Sequence, residues 1–414
     1  MEIFLKERAD RIYRRLEELA AVTDEPGMIH RTFLSPAMRR ANLLVGGWMR
    51  EAGLDVSEDC AENLIGEQSR ISDDPDSPIF IMGSHLDTVR NAGRFDGPLG
   101  VMLAIEALDY LRESGTELSF GLSVIGFSDE EGVRFHSSYI GSKAFCGIWK
   151  REDLALLDEN GISLLRALEE LNSGNRFVPS PAHYSPDRVR GYLEVHIEQG
   201  PVLESEGVPL AVVSAIAGQT RIKVHWNGKA AHAGTTPRHL RRDALVGAAH
   251  FIREVRAAFD RFPEVMATVG QLTVEPNVSN VVPDRVIHSL DVRHQDDSMR
   301  QNACLWLDDR AQSIAAEHGL KHRWEIIQNV QAVPCDPTLS RRLMQSVERT
   351  TGVRRLLPSG AGHDGAILSR HCPVAMLFVR CRGGLSHHPA EYASPEDVGI
   401  ALQATLDFLM QEKK

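Results

Sequence analysis

A chain of 414 residues is too long for one ordinary core and, at roughly 100–200 residues per domain, is expected to form at least two domains. Hydrophobic residues make up 43% and charged residues 25%, the proportions of a packed globular protein, which excludes a wholly disordered or fibrous chain. The 46 basic residues against 57 acidic give a net charge of −11, which argues against nucleic acid or an anionic membrane surface as a partner.

In the charged N-terminal stretch MEIFLKERADRIYRRLEELAAV, Ile3, Ile12, Leu16 and Leu19 fall at roughly helical spacing. An amphipathic helix is expected there, since the stretch lacks the apolar core of a secretory signal. No apolar run approaches the roughly 18 residues that span a bilayer, so no membrane segment is expected. The six cysteines (Cys60, Cys146, Cys304, Cys335, Cys372, Cys381) show no CxxC spacing. Neither a zinc ribbon nor a disulfide framework is indicated, and a reducing cytoplasm is the expected compartment. Asp73-Asp74-Pro75-Asp76 reads as a solvated loop.

From residue 79 onward, apolar runs alternate with helical patterns, the signature of an α/β layer fold. Residues 79–83 read as a buried strand. Pro98 then opens PLGVMLAIEALDYLRESG, a helix with Met102, Ile105, Leu108 and Leu111 on one face and Gly115 at its stop. Residues 119–128 and 191–197 read as further strands. The middle third differs: over residues 220–226 Ile222, Val224 and Trp226 alternate onto one face, and Asn227-Gly228 is a hairpin-type turn signal. A helix (243–259), two strands (265–274 and 286–293), a helix (298–318) and a strand (323–329) follow. That order, β-α-β-β-α-β, is the split βαβ plan of a ferredoxin-like unit. Residues 214–329 are therefore read as an inserted domain, with 1–213 and 330–414 forming the other. The chain closes with a strand (374–379) and a helix (395–410).

Five segments carry ligand-type residues, four of them at the carboxyl ends of predicted strands, where open α/β sheets build their sites. GSHLDT supplies His85 and Asp87; at i and i+2 of a strand, Asp87 lies behind His85 and is placed to fix its tautomer. GRFDGPLG puts Asp96 between glycines before a helix. FSDEEG holds Glu130 and Glu131, adjacent carboxylates whose joint burial makes sense if one binds a cation and the other takes a proton. YLEVHIEQG carries His196 with Glu194 and Glu198 on the same parity, and GGLSHHPAEY carries His387 and His388. Singly, each has a plainer explanation: a surface pair, a helix cap, a solvated turn, satisfied structural histidines. Jointly, His85, Asp96, Glu131, His196 and His387 are a set typical of zinc or a similar divalent ion.

GSHLDTV, GRFDGPLGV, FSDEEGVRF, EVHIEQGPVLE, AHAGTTP, SNVVPDR, SGAGHDG and GGLSHHPAEY together resemble the hydantoinase/carbamoylase branch of the M20-type metallopeptidase family, from about residue 28 to the C-terminus. That branch includes N-carbamoyl-L-amino acid hydrolases, allantoate amidohydrolases and β-ureidopropionases. The resemblance implies a metallopeptidase-like α/β catalytic domain with an inserted ferredoxin-like dimerisation and lid domain, assembled as a homodimer. It implies two divalent ions, zinc or manganese, one held by His85, Asp96 and His196, the other by Asp96, Glu131 and His387. Glu130 matches the general base, and the family pattern implies a cis peptide at Asp96–Gly97. His232 matches a histidine that reaches the neighbouring subunit's site and stabilises the oxyanion. Asn280 and Arg293 match residues that hold the substrate carboxylate; Gln199 and Gln219 match further polar contacts, and His363 and Asp364 match positions near the ureido end. Arg238 departs from the Met usual after TTP, and His388 has no matching role.

The implied reaction is hydrolysis of the ureido or carbamoyl C–N bond of a small carboxylate. AIAGQTR and FVRCRGGLSHHPAE are most similar to allantoate amidohydrolases, with an N-carbamoyl-L-amino acid hydrolase or β-ureidopropionase as the alternative. A metallo-exopeptidase or aminoacylase is opposed by His196, where those relatives usually place a carboxylate. A catalytically silent binding protein is opposed by the intact Glu130 and ligand set.

Overall fold

The apolar runs expected as strands become the parallel strands Ile79–His85, Gly121–Phe127, Val189–Ile197 and Val374–Val379. They lie side by side in the order Gly121–Phe127, Ile79–His85, Val189–Ile197, Val374–Val379. Antiparallel neighbours extend the sheet on both sides: Leu64–Glu67 and Asp55–Glu58 beyond Gly121–Phe127, and Leu210–Ile216 beyond Val374–Val379. Every residue of Ile79–His85, Gly121–Phe127 and Val374–Val379 is buried. A parallel sheet covered on both faces has no solvent side, so its strands read as unbroken apolar runs instead of alternating.

The computed structural model describes residues 2–69, 71, 74, 76–171 and 177–411. The chain divides into one unit of Met1–Ser214, Cys335–Leu357 and Ala361–Lys414, and a second of Ala215–Pro334 with Pro358–Gly360. In the first, the N-terminal helix Glu2–Ala20 buries Ile12, Leu16 and Leu19 in the core shared by helices Pro98–Glu113 and Pro395–Met410; the Ile3 side chain lies outside the described residues. Phe80 packs on Phe120 and Phe408, with ring centroids 5.5 and 5.8 Å apart. Helix Pro98–Glu113 lies tight on the sheet because Gly100 has no side chain: a Cβ there would stand 2.2 Å from the Val195 carbonyl oxygen. Asp74 and Asp76 of the acidic loop are exposed, while Asp73 and Pro75 lie outside the described residues. The six cysteines are free thiols. No described helix is long and apolar enough to cross a membrane.

The second unit is an antiparallel sheet in the order Leu272–Glu275, Arg285–His294, Gly218–Asn227, Lys321–Val330. Helices Ala244–Arg261 and Asp297–Glu317 share its core, where Phe251 and Leu307 meet Ile222, Val224, Trp226 and Val292. The single strand expected over 265–274 is two short ones, Met266–Thr268 and Leu272–Glu275, both paired with Arg285–His294. Asn227-Gly228 does not close a hairpin. The Gly228 N–H donates to the Asp284 carbonyl at 2.7 Å, and a Cβ there would stand 2.0 Å from the Arg242 oxygen. Close backbone approach, not a two-residue turn, accounts for this glycine.

Candidate metal centre

The ligand-type residues of the first unit cluster at the carboxyl ends of its parallel strands. His85 ends one strand, His196 is the penultimate residue of another, Glu130 and Glu131 follow Gly121–Phe127, and His387 lies in the loop after Val374–Val379. Asp96 sits in the turn that enters helix Pro98–Glu113. Gly97 makes that turn at φ +83°, and a Cβ on it would stand 2.5 Å from the His85 ring. The cis bond implied for Asp96–Gly97 is not present: among the described residues the cis peptide is Glu275–Pro276. A glycine at positive φ turns the chain with a trans bond.

The two carboxylate oxygens of Asp96 face different partners. Oδ1 lies 3.1 Å from His196 Nε2 and 3.8 Å from His85 Nε2; Oδ2 lies 3.1 Å from His387 Nε2. His387 Nε2 is in turn 3.4 Å from Glu131 Oε1. The ligand atoms of His85, Asp96 and His196 all lie within 4.8 Å of one another, as do those of Asp96, Glu131 and His387, and those of His85, Glu130 and Glu131. His196 Nδ1 is 2.9 Å from the Ile197 carbonyl and His85 Nδ1 is 3.0 Å from the Asp87 carbonyl. Each Nδ1 thus has a backbone carbonyl to accept its proton, which turns the Nε2 edge toward Asp96 as the one a cation would take. Asp87 therefore orients His85 chiefly through its main chain. Its carboxylate, 3.5 Å from His85 Nδ1, accepts the N–H groups of Glu130 and Glu131 at 3.0 and 3.1 Å and so fixes the acidic turn.

Burial dominates the electrostatics. It pushes the Glu130 carboxyl well above the usual carboxylate range, and it pushes Glu131, beside Asp96, up to about 7. Asp96 is also buried, yet hydrogen bonds from His196 and His387 hold it well below its ordinary value. Several carboxylates crowded into a water-poor site oppose one another unless positive charge accompanies them. Three imidazole nitrogens plus carboxylate oxygens, with no thiolate, form a donor set that fits zinc or manganese.

Two supporting residues carried no assigned role in the sequence. Glu391 Oε1 accepts the N–H groups of Phe95 and Asp96 at 2.8 and 3.0 Å, and Ser386 Oγ donates to Asp96 Oδ2 at 2.8 Å. Both lie within GGLSHHPAEY, and that shared segment is the available signal. Gln199, expected among the substrate contacts, donates from Nε2 to both Asp96 oxygens at 3.3 Å. His363 is buried with its ring 4.6 Å from that of His196, and Asp364 is buried at the start of helix Gly365–Leu368. Glu194 does not face an open site: it is buried, accepting from Ser84 Oγ at 2.9 Å and the Gly365 N–H at 3.1 Å. Glu198 accepts the N–H groups of Val202 and Leu203, and His388 accepts that of Ala390 on an exposed loop.

The remaining sequence-derived positions belong to the second unit. His232 and Asn280 meet on one small ladder, where Ala231–His232 pairs with Val281–Val282 and the Ala233 N–H donates to the Asn280 carbonyl at 2.9 Å. The Gly234 N–H donates to His232 Nδ1 at 3.1 Å, so a neutral His232 carries its proton on Nε2. Arg241 ties this loop down by donating to the Ala233 and Thr236 carbonyls. Arg238 is exposed in the turn Arg238–Leu240. Gln219 and Arg293 are register partners on adjacent strands.

Residues 81–411 match Peptidase family M20/M25/M40. The chain is 38% identical over 397 residues to the N-carbamoyl-L-amino acid amidohydrolase of Geobacillus stearothermophilus, covering 96% of each chain. It is 40% identical over 433 residues to the allantoate deiminase of Arabidopsis thaliana, covering 97% of this chain and 82% of that one. Its fold is similar to that of an amidase of the hydantoinase/carbamoylase family from Burkholderia multivorans, with a TM-score of 0.89 and 32% identity over 98% of this chain and 97% of that one. Its ligand-bearing strand ends and these likenesses across nearly its whole length agree: the chain belongs to the hydantoinase/carbamoylase branch of peptidase family M20/M25/M40.

Proposed function

We propose that this protein is a metal-dependent amidohydrolase that cleaves the ureido or carbamoyl C–N bond of a small carboxylate, with allantoate or a similar ureido acid as substrate. The observation that carries the reading is the sharing of Asp96, whose two oxygens face separate histidines beside the buried Glu130. On this reading His85, Asp96 and His196 hold one divalent ion and Asp96, Glu131 and His387 the other, zinc or manganese. Two such ions, when bound, supply the positive charge that acidifies a water and polarises the poorly electrophilic carbonyl.

Glu130 takes the proton of the attacking water and returns it to the leaving nitrogen, a role suited to a carboxyl whose burial favours holding a proton. His232, with its proton on Nε2, donates to the developing oxyanion in the site of the partner subunit. Arg293 and Asn280 hold the substrate carboxylate, Gln199 and Gln219 add polar contacts, and His363 and Asp364 stand near the ureido end. The second unit acts as dimerisation domain and lid, whose closure excludes water. An N-carbamoyl-L-amino acid is the second reading, favoured by the near-equal likeness to an amidohydrolase of that name. Ammonia release from allantoate and N-carbamoyl-L-amino acids, and free amino acid release from dipeptides, measured with metal content, test the assignment. Ammonia from allantoate and no amino acid from dipeptides is expected; dipeptide cleavage alone overturns it.

A further inference from the structure

Asp291 gathers around one carboxylate the residues to which the proposed function assigns the substrate's carboxylate end. In strand Arg285–His294 the side chains alternate, so Val292 enters the core while Asp291 and Arg293 share the outer face. On the neighbouring strand Arg221 stands opposite Asp291 and Gln219 opposite Arg293. The four side chains converge. Arg293 donates to Asp291 from Nε at 2.9 Å and from Nη2 at 3.1 Å; Gln219 Nε2 donates at 2.7 Å and Arg221 Nε at 3.3 Å.

Donor arithmetic gives this hub a direction. A guanidinium has five N–H groups. Two of those on Arg293 go to Asp291 and one Nη1–H goes to the Gly360 carbonyl at 2.6 Å, which leaves one on each terminal nitrogen. That is the number a second carboxylate takes in a two-pronged contact. A carboxylate only accepts, so Asp291 also determines which way the Gln219 amide faces: Nε2 inward and Oε1 outward as an acceptor. Together, Arg293 offers donors to a carboxylate and Gln219 offers an acceptor to an N–H, the two functions that a ureido acid carries side by side.

We propose that Asp291 is the positioning residue of the substrate clamp, holding the Arg293 fork and the Gln219 amide in register for a ureido acid. This rests on the assignment of Arg293 and Gln219 to substrate. The test uses the metal-loaded full chain, the ureido acid that the wild type turns over best, and the primary carboxamide of that acid. Asp291→Asn is expected to raise KM for the acid about tenfold or more while kcat stays within about threefold, and to lower kcat/KM for the carboxamide, which keeps the N–H but lacks the carboxylate, at least about threefold less than for the acid. Arg293→Lys should show the same discrimination. An unchanged KM in Asp291→Asn alongside a raised KM in Arg293→Lys overturns the role of Asp291 and leaves the substrate assignment standing. An unchanged KM in both overturns that assignment and the proposal with it. Should Asp291→Asn fail to fold, Asp291→Glu carries the test: a KM raised more for the acid than for the carboxamide supports the clamp, and an equal change for acid and carboxamide contradicts it.

Discussion

Gly97 lies so close to His85 that a Cβ on the glycine would stand 2.5 Å from the imidazole Cε1 and Nδ1. The turn carrying Asp96 and the strand carrying His85 can meet because one of them has no side chain there. Gly97→Ala adds that clash to a positive φ, a strain on the order of 1–3 kcal/mol. The ring must give up the place it holds beside Asp96. The variant is expected to fold but to hold less metal after dialysis, with activity reduced at least tenfold; elemental analysis of purified protein checks this. Full metal content with normal activity would contradict the tight turn.

Glu130 and Glu131 are neighbours in sequence with different expected roles, one a base and the other a ligand. Glu130→Gln is expected to retain metal and lose about 10²–10⁴-fold in kcat, the range for a general base. Steady-state kinetics with elemental analysis measure both. Near-normal kcat sinks the assignment, as does loss of metal in step with activity.

Glu391 acts on the centre through the backbone of Phe95 and Asp96. Glu391→Ala leaves two buried N–H groups without their acceptor and frees Ser386 from its second partner. Loss of such outer support typically weakens metal affinity 10–100-fold. Chelator competition is expected to show that loss, with secondary structure by circular dichroism unchanged. An affinity equal to wild type would make Glu391 a loop anchor only.

His232 is assigned to the partner subunit's site. His232→Ala homodimers are expected to be inactive, while mixed dimers with a Glu130→Gln chain regain one working site of two, combining the intact base of one chain with the intact histidine of the other. Activity should follow the mixed-dimer fraction resolved by affinity tags. Absence of complementation would place His232 in cis or outside the reaction.

Much of the first unit is legible in the sequence because its signals are local. Strands buried on both faces announce themselves as apolar runs, and Pro98 at a first helical turn marks the helix Pro98–Glu113. The strand ends at His85 and His196 follow from the same runs. What could not be read depends on segments far apart in the chain. Ser386 and Glu391 reach Asp96 across some 290 residues, and no spacing rule encodes that approach. The Asn227-Gly228 turn signal was local and misleading, since the Arg242 backbone, and not a hairpin, requires the glycine. At Asp87 the polar side chain drew attention to its carboxylate, whereas the nearer contact to His85 is made by the main-chain carbonyl, which any residue supplies.

In the proposed function Asp96 joins two metal sites in an enzyme that releases ammonia from a ureido acid. The most direct test is a titration of chelator-stripped protein with zinc or manganese, following ammonia release from allantoate. The account predicts no release without metal and a rise that levels off at two equivalents per chain. Ammonia released at full rate by stripped protein, or activity complete at one equivalent, would contradict it.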